Sequence, residues 1–224
     1  MGRIFELHAA ADKGDFETVK RLVETGADVN QQGTRQRTAL HCATRLDSVD
    51  IARYLLDHGA NVEARTVFKT TPLQAAAFYG AAGVMKLLLD HGADVSALDF
   101  GSWAPIHYAC NYGRDRCIGL LVDAGANLTL KSAELQYAPI HLASRSGSLE
   151  GVRLLLERGV DANSRSGLLL TPLHLACQND HTEVCRLLLT AGADPVAKDE
   201  VSITPASFAR KEECISLLRA ATPA

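Results

Sequence analysis

The sequence predicts an all-α solenoid, a single domain spanning residues 1–224 and built from stacked helix-turn-helix repeats. Three observations predict it. A segment Thr171-Pro172-Leu173-His174-Leu175-Ala176-Cys177 has relatives opening at Thr38, Thr71, Ala104, Ala138 and Thr204, so successive starts lie 33, 33, 34, 33 and 33 residues apart. A second register, Gly26, Gly59, Gly92, Gly125, Gly159 and Gly192, recurs at 33, 33, 33, 34 and 33. Ahead of these glycines lie the triplets Leu87-Leu88-Leu89, Leu120-Leu121-Val122, Leu154-Leu155-Leu156 and Leu187-Leu188-Leu189. With apolar residues three and four positions earlier, each triplet gives one buried helical stripe. A unit this short cannot bury that stripe alone, so neighbours must stack to form a core.

The first repeat, about residues 3–32, opens with Phe5-Glu6-Leu7-His8-Ala9-Ala10 and carries Arg3, Glu6 and Lys13 where a terminal cap meets water. Gly14 ends its first helix, and Asp15 caps the second, Phe16 to Thr25. Repeats 33–66, 67–99, 100–132, 133–166 and 167–199 share one plan. Thr caps the first helix where present, and Pro72, Pro105, Pro139 and Pro172 occupy its first turn, where a missing N–H costs nothing. Ala39 replaces that proline in the second repeat and weakens the start. The turn into the second helix needs a left-handed residue, supplied by Gly80, Gly113 and Gly147 and elsewhere by Asp47 and Asp180. The last repeat, 200–221, keeps Thr204-Pro205 but has Ala206-Ser207 in place of Leu-His and is three residues short. Its second helix is expected over about Glu213 to Arg219, with 221–224 frayed.

The period and the Thr-Pro-Leu-His-x-Ala signature together resemble the ankyrin repeat family, and the resemblance covers residues 3 to 220. It implies β-hairpin finger loops projecting between repeats. That family usually has Gly two residues before each repeat start. Here the place holds Gln36, Lys69, Ser102, Gln136, Leu169 and Ser202, so the finger tips are expected to bend differently from one another.

The resemblance also implies which positions face a partner on the concave side: the finger tips and the end of each first helix. Of the 12 aromatic residues, seven fall there: Phe68, Phe78, Tyr79, Phe100, Trp103, Tyr112 and Tyr137. All seven belong to the third, fourth and fifth repeats; at least partial exposure is expected for them, and contiguous exposed apolar area marks an interaction site. Arg35, Arg37, Arg45, Leu135, Arg145, Leu168 and Leu170 share these positions. The partner expected is a protein or extended peptide with an apolar or aromatic segment beside acidic residues. Two alternatives stand beside this scaffold or adaptor reading: a substrate-recognition subunit of a ubiquitin-ligase-type assembly, and single-stranded RNA or nucleotide binding through aromatic and Arg stacking.

Other chemistries find little support in the residues. A net charge of −3 gives no electrostatic reason to expect nucleic acid or an anionic membrane surface. No run of 18 apolar residues occurs. A histidine that recurs once per repeat (His8, His41, His107, His141, His174) reads as structural hydrogen bonding rather than catalysis, and no Walker A, GxGxxG, GxSxG or HExxH pattern is present. The HxxC pairs His107/Cys110 and His174/Cys177 offer only two ligands each, so no metal or cofactor is expected. The six cysteines lie on helix faces without a CxxC spacing. They read as free buried thiols of a reducing compartment, cytoplasmic or nuclear. The expectation is a non-catalytic binding protein, monomeric by itself.

Overall fold

The structure is a computed structural model that describes residues 2–222, with side chains from residue 6 onward. The side chains of Arg3 and Phe5 and the terminal residues 223 and 224 therefore lie outside the described residues. Among the described residues there are thirteen α-helices and no strand. The first repeat pairs α1 (Gly2–Lys13) with α2 (Phe16–Glu24), and the second α3 (Ala39–Ala43) with α4 (Val49–Asp57). Next come α5 (Pro72–Tyr79) with α6 (Ala82–Asp90), and α7 (Pro105–Asn111) with α8 (Asp115–Asp123). Then follow α9 (Pro139–Ser146) with α10 (Leu149–Glu157), and α11 (Pro172–Gln178) with α12 (Thr182–Thr190). The last repeat keeps α13 (Glu212–Ala221), while its first helix shrinks to a 3₁₀ turn at Pro205–Ser207. The closing helix is thus longer than its charge pattern suggests. The proline-free α3 is indeed short, and the chain continues from it as a 3₁₀ turn over Thr44–Leu46.

The chain divides into two compact halves: Met1–Tyr108 with Leu120–Ala126, and Ala109–Gly119 with Asn127–Ala224. In the first half the core is the stripe Ile51, Leu55, Val84, Leu88 and Leu121 beneath the small residues Ala76 and Ala77. In the second half Ile118, Val152, Leu155, Val184 and Leu188 play the same part against Ala143, Ala176 and Cys177. Small side chains let the paired helices approach closely, while the Leu stripe supplies the apolar area whose burial drives folding.

Within each half, the recurrent histidine ties its repeat to the next. In the first half the His41 Nδ1 accepts the Thr38 N–H at 3.2 Å, which leaves the proton on Nε2 to donate to the Thr70 carbonyl at 3.1 Å. In the second half His141 Nε2 reaches the Leu170 and Ser164 carbonyls, and His174 Nε2 reaches Ile203 O at 3.2 Å. Gln74 does the same work in the third repeat. Its Oε1 accepts the Thr71 N–H at 2.7 Å, and its Nε2 donates to the Trp103 and Ala97 carbonyls at 2.6 and 3.0 Å. These bonds need a neutral ring, and burial holds both His41 and His141 down at about 4.

Asp47 and Asp180 take the left-handed turn expected of them, with φ of 52° and 53°. They also cap a helix of the following repeat. The Asp47 carboxylate accepts the Gly83 and Val84 N–H groups at 3.1 and 2.7 Å, and Asp180 accepts those of Arg210 and Lys211 at 2.8 and 3.0 Å. A glycine at this place could make the turn but not the cap.

The fingers depart from expectation in two ways. They are turns without assigned strands, closed by backbone bonds such as Thr66 N–H to Thr70 O at 3.1 Å and Lys69 N–H to Thr66 O at 2.9 Å. Their tips also share one left-handed residue, to which the second repeat's finger adds another at Arg35, with φ of 59°. Gln36, Lys69, Ser102, Gln136, Leu169 and Ser202 all adopt a left-handed conformation, with φ of 58°, 61°, 56°, 50°, 56° and 64°. The three-residue hairpin turn requires a left-handed residue at its end. In five of the six fingers a side-chain acceptor earlier in the finger holds the non-glycine residue there, and only the finger that opens on Gly33 lacks one among the described residues. Thr66 Oγ1 accepts the Phe68 and Thr70 N–H groups, Asp99 Oδ1 those of Gly101 and Trp103, and Asp199 Oδ1 those of Val201 and Ile203. The finger that gives the 34-residue spacing closes one residue later, with Ser132 N–H on Tyr137 O.

Candidate functional site

In the first half, the fingers and first helices of the second to fourth repeats enclose a cleft of about 280 Å³. Arg35, Arg37, His41, Thr66, Phe68, Thr70, Ala75, Phe78, Tyr79 and Tyr108 line it. Each side chain arrives by a local cause. Phe68 sits at the tip of a finger whose left-handed Lys69 turns the chain back. Phe78 and Tyr79 are the last residues of α5, just before the Gly80 turn, where the helix face leaves the core.

The rings form a connected set. Phe78 meets Tyr79 edge-on at 4.9 Å and Tyr108 at 6.3 Å, and Tyr108 in turn meets Trp103 at 5.1 Å. Tyr108 donates its hydroxyl to Asp99, the carboxylate that also holds the finger of Trp103. Phe68 is 55% exposed and Phe100 65%, so these two rings stand in water. A cation covers each. The Arg35 guanidinium lies 6.0 Å from the Phe68 ring, and the Lys69 ammonium lies 4.7 Å from Phe100.

Some arginines near these positions are already engaged. Arg45 donates to Asp12 Oδ1 and Asp12 O, both at 2.8 Å. Arg65 spends its guanidinium on the Lys69 and Leu98 carbonyls at 3.1 and 2.9 Å. Arg35 and Arg37 have no ion-pair partner among the described residues. They therefore form the unneutralised positive side of the cleft, opposite its aromatic wall.

The structure thus brings together Arg35, Arg37, Phe68, Phe78 and Tyr79, with Trp103 linked through Tyr108 and Phe100 exposed on the next finger. In the second half Tyr112, Leu135 and Leu168 are exposed and Leu170 is half-buried. Tyr137 corrects the expectation. It is buried, at 6% exposure, because its ring stacks on His141 at 5.8 Å and the Arg145 guanidinium lies over it at 5.3 Å. Arg145 is itself held by the Asn111 carboxamide. Sequence reasoning missed Tyr108, which follows the signature histidine at a place filled by Ala75 in the preceding repeat and Leu142 in the following one. A polar-tipped aromatic where its counterparts are aliphatic or small was the available signal.

Comparison with known proteins agrees with this architecture. A family model of ankyrin repeats in three copies matches residues 7–99, 64–132 and 106–199. No curated protein matches the chain as a sequence. Among solved structures, the human ASB11 ankyrin repeat domain is 28% identical with a TM-score of 0.90, over 97% of this chain and 98% of that one. The ankyrin repeat domain of Bcl-3, a member of the IkappaB protein family, is 26% identical with a TM-score of 0.76, over 96% and 97%. Among the described residues no helix is long and apolar enough to cross a membrane. With the signature, the 33-residue period, the tying histidines and the family match in agreement, the chain belongs to the ankyrin repeat family, whose repeats are protein-interaction modules.

Proposed function

We propose that this chain is a non-catalytic binding protein that holds a segment of a partner protein in the first-half cleft. An apolar or aromatic side chain of the partner lies against Phe68, Phe78 and Tyr79, and a neighbouring carboxylate meets Arg35 and Arg37. The single observation that carries this reading is an aromatic wall beside two guanidinium groups without an ion-pair partner. Aromatic and Arg side chains supply most of the energy of known protein interfaces. A bidentate guanidinium–carboxylate pair would fix the direction of the bound segment.

Selection of random displayed peptides on the folded chain tests it. The expected consensus pairs an aromatic or large aliphatic residue with Asp or Glu within a few positions. Phe68→Ala with Tyr79→Ala should weaken the selected peptides by at least about tenfold, the equivalent of about 1.4 kcal/mol. Arg35→Ala with Arg37→Ala should weaken acidic peptides and spare their amide counterparts. Thermal melts establish that the variants fold. A consensus without acidic residues, or peptides that bind both variants like the parent, would refute the cleft as the site. Single-stranded RNA binding that weakens steeply with salt would replace the peptide by a nucleic acid.

A further inference from the structure

The second half holds a cluster that the spacing of the cysteines does not reveal. Cys177 of α11, Cys185 of α12 and Cys214 of α13 are all fully buried, and their sulfurs converge. Cys177 and Cys185 are 3.6 Å apart, Cys185 and Cys214 3.6 Å, and Cys177 and Cys214 4.0 Å. No His, Asp or Glu joins them among the described residues.

We propose that these three thiols form a three-coordinate site for a trivalent thiophilic ion, of the kind represented by arsenite. The point equidistant from the three sulfurs lies about 2.2 Å from each, close to the ~2.3 Å of a zinc–thiolate bond. A pyramidal trivalent centre sits just off the plane of the sulfurs and reaches all three with small turns of the cysteine side chains. Coordination number and charge then select among the soft ions. Structural zinc asks for a fourth ligand, and the cluster supplies none. Copper(I) suits thiolates, but three thiolates around a single positive charge leave two net negative charges in an apolar interior, which is costly without a buried cation. Trivalent arsenic closes a neutral site. Three S–As bonds form as three As–O bonds of arsenous acid break, each thiol proton leaves with a hydroxide as water, and no oxidation state changes.

Only Cys214 and Leu218 of α13 are buried, so release of this one terminal helix uncovers the sulfurs. An ion bound there would pin α13 to α11 and α12, in the repeat whose first helix is reduced to a 3₁₀ turn.

The test is native mass spectrometry with thermal melting on the reduced full chain in thiol-free buffer, with arsenite, zinc or copper(I) added separately. Arsenite should add one arsenic less three hydrogens per chain, protect three thiols from maleimide labelling and raise the melting temperature. Cys214→Ser and Cys185→Ala should each weaken binding by at least about tenfold, while Cys42→Ala binds like the parent. The two variants lie on different helices, and the adduct mass and thiol count of the parent stand even if one of them fails to fold. No adduct on the folded parent, an adduct retained in both variants, or tighter binding of zinc or copper(I) than of arsenite would overturn the proposal.

Discussion

In the first half an aromatic cluster stays open to water, while in the second half residues of the same kinds at the same repeat positions close on each other. Arg45 and Arg145 both lie seven residues after their repeat starts, late in the first helix. Arg45 is drawn away by Asp12, with its guanidinium 2.8 Å from that carboxylate. Arg145 meets Asn111 instead and lies over the Tyr137 ring, roofing it. One residue in the preceding repeat therefore decides whether the arginine covers the neighbouring finger. A repeat fixes where a side chain emerges, and its exposure is set by a contact that differs from repeat to repeat.

The largest expected effect tests what the two regions share. His41 floors the open cleft and His141 underlies Tyr137, and burial holds each at about 4. In the unfolded chain histidine titrates near ~6.5, so between these values the unfolded state binds more protons than the folded one. The stabilisation is complete above pH ~6.5 and is lost as the pH falls through that window, by roughly 3 kcal/mol per histidine at most. Glutamine already makes these bonds at position 74. Urea unfolding at neutral and mildly acid pH should therefore show a steep loss for the parent and a much shallower one for His41→Gln with His141→Gln. Equal slopes would mean that the two rings are protonated in the fold.

A difference between the regions comes next in size. Tyr137 is buried between His141 and Arg145, so Tyr137→Ala should cost about 3 kcal/mol of unfolding free energy. Phe68 stands largely in water, and Phe68→Ala should change stability by less than about 0.5 kcal/mol. Chemical denaturation of the two variants measures both. Comparable losses would show that Phe68 packs as Tyr137 does, and the cleft would lose its open wall.

These two residues also mark where the sequence was readable. The period, the Leu stripes, the proline starts and the tying histidines obey local rules that repeat, so their places follow from the residues alone. The αL role of Asp47 follows from its place in the period, yet its cap on Gly83 and Val84 does not, because that bond spans 36 and 37 residues. Tyr137 was misread for the same reason. Its cover comes from Arg145, and Arg145 is positioned by Asn111, 34 residues earlier. The cysteine cluster was invisible because Cys177, Cys185 and Cys214 come from three helices, and no short spacing records their meeting.

The smallest effect separates backbone strain from side-chain contact at the finger tips, where a left-handed residue recurs in both halves. A left-handed conformation costs a residue with a Cβ about 1–2 kcal/mol, and glycine gives back about 0.5–1 of that through the freedom it adds to the unfolded chain. Leu169→Gly should therefore raise stability by about 0.5 kcal/mol, since the Leu169 side chain is half exposed. Lys69→Gly relieves the same bend but removes the ammonium over Phe100, so its gain should be smaller. Thermal melts of both variants, with Gly80→Ala as the control that moves the other way, resolve the order. Gly80 holds φ of 79° without a side chain, so adding one must cost stability. If Leu169→Gly melts below the parent, the Ser166 hydroxyl that accepts the Leu170 N–H at 3.1 Å does more than offset the strain, and the bend is a preference of the finger rather than a cost to it.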